Sequence, residues 1–203
     1  MFNDKCSMIN LPKLILASAS PRRAQILEAV GWEFEKHAAD IDETELPREK
    51  PADYVQRLAV EKAVAVVEKY KNRLVLGADT IVVIEDKIIG KPKDLADARK
   101  MLRLLSGNWH EVLTGVAIVK DEEISVGLQT TRVKFAELTE AEIEFLIERG
   151  EPLDKAGAYA VQAQAALFIE QIKGDYWNVV GLPVNLVYEL VSRSGAEMQR
   201  KTG

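Results

Sequence analysis

The chain reads as a mixed α/β fold, and three features predict it. Strand-like and helix-like segments alternate along the 203 residues. Two long β-type runs, Glu111 to Val119 and Ile124 to Phe135, follow one another with only an acidic turn at Asp121 to Glu123 between them. No internal repeat, low-complexity stretch or linker divides the chain. Alternation alone would suit a parallel sheet, but two adjacent β runs joined so closely argue against a purely parallel one, so a mixed sheet with helices packed around it fits best.

Each element has a local reason. Leu14-Ile15-Leu16 is a short apolar strand that stops at Ala17-Ser18-Ala19-Ser20-Pro21, where Ser20 is a natural N-cap and Pro21 a natural first helical residue. The helix carries Ile26, Leu27 and Val30 on one face and ends at Gly31. A strand around Trp32 to Ala38 leads into a polar loop, Asp40 to Lys50, and Pro51 opens a longer helix with Tyr54, Val55, Leu58, Ala59, Val66, Val67 and Tyr70 at helical spacing. Leu74 to Ile84 reads as a buried strand that turns tightly at Glu85-Asp86 into Lys87-Ile88-Ile89. Asp94 to Leu105 is helical and closed by Gly107; Thr139 with Glu142 forms a capping box for a helix ending near Gly150. Beyond it lie a Gly/Ala-rich stretch from Ala156 to Ala166, an apolar Leu167-Phe168-Ile169, a turn at Gly174-Asp175-Tyr176, and a last helix from Pro183 to about Ser194. Residues 14–195 form the domain, with an extension at 1–13 and a tail at 196–203.

Composition excludes several classes. With 47% hydrophobic and 29% charged residues the chain is neither disordered nor a disulfide scaffold. Lys and Arg number 27 against 32 Asp and Glu, a net charge of −5, which argues against coating nucleic acid or an anionic membrane. A compact anionic ligand needs only a few cations in one cleft. The single cysteine, Cys6, and the lack of a signal-like or membrane-spanning apolar run lead us to expect a cytoplasmic protein.

Two segments carry chemistry. In Ser18-Ala19-Ser20-Pro21-Arg22-Arg23, a strand-to-helix turn brings backbone N–H groups, two hydroxyls and two guanidiniums together. That suits a phosphate cradle, and equally an ordinary capped helix with solvated arginines. In Val75-Leu76-Gly77-Ala78-Asp79-Thr80-Ile81-Val82-Val83 a carboxylate interrupts an apolar strand. Regular alternation puts Asp79 on the face of Gly77, and a buried carboxylate requires a cation or metal beside it, or else a structural capping role. Glu43, after Asp40 and Asp42 in the polar loop, reads either as a solvated acid or as the partner of Asp79 in a hard oxygen donor set for a divalent ion. Lys62 sits on or beside the apolar stripe of the long helix, Lys91 is aimed by Gly90 and Pro92, Lys155 precedes the Gly/Ala stretch, and the Gln162 amide within it can read a base edge. His37 and His110 are the only histidines, and no HExxH, Cys-rich zinc spacing, GxGxxG or Gly-x-Ser-x-Gly is present.

Taken together, Leu14 to Arg23, Leu76-Gly77-Ala78-Asp79-Thr80, Gly90-Lys91-Pro92, Leu105-Ser106-Gly107 with His110 and Thr114-Gly115-Val116, Asp154 to Tyr159, and Asn178-Val179-Val180-Gly181-Leu182-Pro183 resemble the Maf family of nucleoside triphosphate pyrophosphatases, in family order from about Leu14 to Val191. The resemblance implies a mixed, elongated sheet flanked by helices in two lobes with a central cleft, and a homodimer. It implies hydrolysis of a nucleoside triphosphate between its α and β phosphates with a divalent cation, Mg or Mn. Asp79 is then the proton acceptor, and Arg22, Thr80 and Gln162 shape substrate choice. The tract around Gln162 and the Gly174-Asp175-Tyr176 turn look like the dTTP/UTP branch rather than the 7-methyl-GTP branch. Lys62 and Lys91 join Asp79 in catalysis; Arg22, Arg23 and Lys155 clamp the triphosphate; Ser18 and Ser20 donate hydrogen bonds to it. Glu43 shares the metal. A nucleotide-binding regulator of septum formation or cell division is the other role the resemblance offers. The sequence departs from the family pattern at Ala163, where a glycine usually follows the glutamine, so a glycine-only backbone conformation is not expected there.

Overall fold

A computed structural model describes residues 11–201, with side chains to residue 194. Cys6, most of the expected N-terminal extension and the side chains of the expected C-terminal tail lie outside the described residues. The elements follow the chain as β1 (Leu14–Leu16), α1 (Pro21–Ala29), β2 (Phe34–Lys36), α2 (Pro51–Val67), β3 (Leu74–Ile84), β4 (Lys87–Ile89), α3 (Leu95–Leu105), β5 (Trp109–Lys120), β6 (Glu123–Phe135), α4 (Glu140–Arg149), β7 (Ile169–Lys173), α5 (Tyr176–Val180) and α6 (Val184–Lys201).

The sheet is mixed, as expected. Its order is β2-β1-β3-β5-β6-β7, with β4 also on β3. β1 runs parallel to both β2 and β3, whereas β3, β5, β6 and β7 are successively antiparallel. One edge of β3 is shared between two short strands. β1 pairs with Leu74 to Leu76 and β4 with Val82 to Ile84, so residues 77–81 have no strand beside them on that edge. Asp79 and Thr80 lie in this gap, just beyond the point where the chain leaves β1 for α1.

Alternation along β3 sorts the core. Leu74, Leu76, Ala78, Val82 and Ile84 join the larger cluster with residues of α1, α3, α4 and α6. Val75, Ile81 and Val83 pack on α2, through Ala59, Ala63, Val66 and Val67 at one end and Tyr54, Val55 and Leu58 at the other. Helix α2 therefore covers one face of the strands that carry Asp79, and its charged Lys62 arrives on that face.

Capping follows the sequence at α4, where the Thr139–Glu142 box forms in full; at α3 Asp94, expected as the first helical residue, is the N-cap and accepts from the Asp97 amide at 2.7 Å. Glu85 and Asp86 both take left-handed φ, as a two-residue hairpin turn requires. Four expectations need correction. Ser20 occupies the N-cap position of α1 but its side chain makes no capping bond; its amide instead donates to Ser18 Oγ at 3.2 Å. Val30 is 41% exposed because α1 ends at Ala29, before the buried face comes round again. Strand β2 is shorter than Trp32 to Ala38, because Trp32 turns into the core and its Nε1 donates to the Pro12 carbonyl at 2.9 Å. Helix α6 continues past Ser194 to Lys201. The strand β7 and the five-residue α5 were not anticipated.

Candidate active site

A cleft of about 540 Å³ opens at the unpaired stretch of β3. It gathers every residue singled out from the sequence: Ser18, Ser20, Arg22, Arg23, Glu43, Lys62, Asp79, Thr80, Lys91, Lys155 and Gln162 all line it. These come from the β1–α1 turn, the first turn of α1, the loop before α2, α2, β3, the loop after β4 and the segment after α4.

On the floor, Lys62 Nζ lies 2.6 Å from Asp79 Oδ1 and 2.8 Å from Glu43 Oε1. Lys62 and Asp79 are each only 8% exposed, which answers the cost of a carboxylate in an apolar strand: the charge is paired. Asp79 Oδ2 has no partner among the described residues. The Glu43 loop is held on α2: Tyr54 Oη donates to the Glu43 carbonyl at 2.8 Å, and Arg57 binds Glu49 through two short bonds while donating to the Thr44 carbonyl. Burial, with the Asp79 and Glu43 charges adding to it, pushes the Tyr54 hydroxyl up to about 12, so it stays a donor at neutral pH.

The two adjacent arginines differ. Arg23 is buried and spends its guanidinium on the wall: Nε donates to the Gly181 carbonyl at 3.0 Å, Nη1 to Ser18 Oγ at 3.0 Å and Nη2 to Thr80 Oγ1 at 3.1 Å. Burial pulls Arg23 below its ordinary value, with the Asp79 charge opposing. Thr80 Oγ1 also meets Thr114 Oγ1 at 2.9 Å, so it too is largely engaged. Arg22 instead reaches across the cleft to Asp154, Nη1 to Oδ2 at 2.9 Å and Nη2 to the carbonyl at 3.2 Å. Arg23→Ala is accordingly expected to cost about 3 kcal/mol of folding stability, since several buried acceptors lose their donor. Arg22→Ala should cost less than about 1 kcal/mol. Urea unfolding followed by tryptophan fluorescence distinguishes them.

Opposite the β1–α1 turn, Lys155 Nζ donates to the Glu151 carbonyl at 2.5 Å and pairs with Asp154 Oδ1 at 2.6 Å. Burial works against the Asp154 charge, but bonds from Lys155 and Arg22 hold its carboxyl below the ordinary range. Lys91 is exposed and has no bond or ion pair among the described residues; the Gly157 amide donates to the Gly90 carbonyl at 3.1 Å, which ties its loop to the Lys155 segment. Gln162 is exposed and equally without a protein partner among the described residues. Ala163 after it has φ −124°, so this position makes no demand for glycine. Sequence reasoning gives Asp154 no site role beyond its place beside Lys155 ahead of the Gly/Ala stretch, and gives none to Tyr54 or Tyr159, which also line the cleft.

His110 sits behind the cleft, not in it. Its Nε2 lies 2.7 Å from Tyr159 Oη, a cleft-lining group, and its Nδ1 is buried without a partner. Burial pushes the imidazole down to about 4, and the Tyr159 hydroxyl upward. Because the folded-state value lies below that of the unfolded chain, near 6.5, the unfolded state binds the proton first. His110 therefore withdraws stability as pH falls from about 6.5 to about 4, a loss on the order of 3 kcal/mol, and contributes no pH dependence above that window. His110→Phe is expected to flatten the decline in urea midpoint between pH 6.5 and 4.

A second depression, about 610 Å³, lies over α4 between Phe145 and Gln164 and contains none of the predicted residues.

Fold and cleft together define a mixed α/β protein whose carboxylate-floored, cation-lined cleft opens at a split sheet edge. The profile of the Maf-like protein family matches residues 13–194, and the chain belongs to that family. A dTTP/UTP pyrophosphatase of Symbiobacterium thermophilum is 47% identical over 185 residues, covering 91% of this chain and 95% of the relative. One from Geobacillus sp. (strain WCH70) is 50% identical, covering 91% of this chain and all of the relative. The solved structure of a HAM1 protein from Coxiella burnetii aligns over 73% of this chain and 79% of its own with 16% identity and a TM-score of 0.46.

Proposed function

We propose that the protein is a nucleoside triphosphate pyrophosphatase that hydrolyses dTTP and UTP, and modified pyrimidine nucleotides with them, to the monophosphate and pyrophosphate, a housecleaning activity carried by residues 14–195. The observation that carries it is Asp79: a carboxylate at the floor of a cationic cleft, one oxygen held by Lys62 and the other left for a water. About half of the sequence is shared with relatives that bear the name dTTP/UTP pyrophosphatase.

In this reading Asp79 Oδ2 orients a water and takes its proton as the water oxygen attacks the α phosphorus. The bond to the bridging oxygen breaks, and its electron pair leaves with pyrophosphate. Lys62 fixes the Asp79 carboxylate and faces the developing charge. Lys91, Arg22 and Lys155 receive the phosphate oxygens, and Ser18 and Ser20 donate to them; Ser18 Oγ keeps its hydrogen while accepting from Arg23. We assign Arg23 to the wall, where it places Ser18 and Thr80 beside the substrate. The Gln162 amide meets the base edge.

The donor set fits a divalent cation, Mg or Mn. Glu43 and Asp79 are hard carboxylates that converge on one point of the cleft, where Lys62 holds one oxygen of each and the second oxygen of each would be the donor to an ion. Among the described residues no three His, Cys, Asp or Glu gather to hold an ion alone, so Glu43 and Asp79 would hold it together with substrate phosphates. When bound, the ion would supply charge neutralisation on those phosphates. No helix among the described residues is long and apolar enough to cross a membrane. We place the protein in the cytoplasm, as a homodimer without nucleic-acid or membrane partners.

Pyrophosphate release with Mg present, compared across UTP, dTTP, CTP and 7-methyl-GTP, tests the proposal. Turnover of UTP and dTTP with little of the others is expected, and chelation should abolish it. Preference for the methylated nucleotide would move the protein to the other branch. Tight binding without turnover of any of them would favour the cell-division regulator.

A further inference from the structure

Asp154 occupies an unusual position between the two cations proposed to receive phosphate. Its carboxylate offers one oxygen to each: Oδ2 to Arg22 Nη1 at 2.9 Å and Oδ1 to Lys155 Nζ at 2.6 Å. Two oxygens on one centre, each holding a different cation, is the contact pattern of a phosphate group. The cations are fixed independently of that carboxylate, since Arg22 also donates to the Asp154 carbonyl and Lys155 to the Glu151 carbonyl. They would stay in place if the side chain swung away. The carboxylate is also the most solvated of the three, 57% exposed against 23% for the Arg22 side chain and 11% for Lys155, so it leaves at low desolvation cost.

We propose that Asp154 is a placeholder: its carboxylate occupies the phosphate-facing donors of Arg22 and Lys155 and is exchanged for a phosphate group of the nucleotide or of pyrophosphate. The inference rests on the proposed roles of Arg22 and Lys155. Its consequence is counter-intuitive for a site residue: removing the side chain should tighten anion binding. The wild-type protein gives up affinity for pyrophosphate because the carboxylate competes for the same donors, and that competition speeds product departure.

The test is calorimetric titration of the full-length chain with pyrophosphate and Mg. Asp154→Asn and Asp154→Ala are expected to bind about threefold to tenfold more tightly than wild type, the range set by two partly exposed ion pairs. A variant that is merely damaged would bind more weakly, so unchanged or weakened binding in both overturns the proposal. Glu140→Gln removes the same charge from the α3–α4 surface, where Glu140 pairs with Arg103. Equal tightening there would reduce the effect to net charge and also overturn it. Arg22→Ala and Lys155→Ala separate this from the underlying reading. If both bind pyrophosphate as wild type does, the phosphate clamp fails; if both weaken while the Asp154 variants do not tighten, only the exchange fails.

Discussion

Asp79→Asn is expected to lower pyrophosphate release from UTP by at least about a hundredfold while nucleotide binding and folding persist. The substitution is nearly isosteric, and its Oδ1 still accepts from Lys62, whose second partner Glu43 remains 2.8 Å away. The buried ammonium is thus not abandoned, which is why this variant should fold where Lys62→Met, stranding Asp79 in an apolar strand, should not fold as well. What the amide lacks is basicity and charge at the Oδ2 position, the atom with no partner among the described residues. A loss of kcat with KM little changed would locate the defect in the chemical step; a rise in KM alone would move Asp79 to substrate or ion binding. Release within tenfold of wild type would sink its assignment as proton acceptor. Calorimetry with UTP on the same variant shows whether the cleft still binds, which the regulator reading would require and the enzyme reading tolerates.

The elements that position this chemistry were largely legible, because they rest on local signals. Pro21 after a small-residue turn, Thr139 with Glu142 as a capping box, and the apolar run around Asp79 all act within a few residues of themselves. What stayed hidden depends on contacts between distant segments. Arg22 and Arg23 are chemically identical neighbours, yet successive helical residues point about 100° apart. Arg23 thereby shares the inward face with Ala24, Ile26 and Leu27, while Arg22 faces the cleft. Strand β7 reads Ile-Glu-Gln-Ile-Lys with little apolar alternation, and α5 is too short for helical periodicity to register. Its Asp175 cap, which accepts from the Trp177 amide at 2.7 Å, and Gly181 after it were the available clues. The pairing of Asp154 with Arg22 had none, since the two lie 132 residues apart in sequence.

Gly77 shares the face of Asp79 and has no side chain to obstruct approach there, and in the structure that room is filled by α2. A Cβ at Gly77 would stand 2.0 Å from the Ala59 carbonyl oxygen and 2.9 Å from the Ala63 nitrogen; one at Gly115, opposite Asp79 in the ladder, would stand 2.2 Å from the Val55 carbonyl oxygen. These are backbone atoms of a helix, so no side-chain rotation relieves the clash. Gly77→Ala must push α2 off β3, and Lys62, between Ala59 and Ala63, moves with the helix while Asp79 stays with the strand. The 2.6 Å bond between them would open, and the Glu43 loop, tied to α2 through Tyr54, would be carried away too. We expect Gly77→Ala to lose about 3 kcal/mol or more of stability, at the upper end for an overpacked core. Turnover per folded molecule should fall along with it. Gly31→Ala supplies the contrast, for that position is left-handed at φ +69° with open space around it. It should cost about 1 kcal/mol in backbone strain and leave turnover intact. Urea unfolding and specific activity of the two variants, measured side by side, decide the matter: a Gly77→Ala protein as stable and active as Gly31→Ala would mean that α2 does not seat Lys62 by direct backbone contact with the sheet.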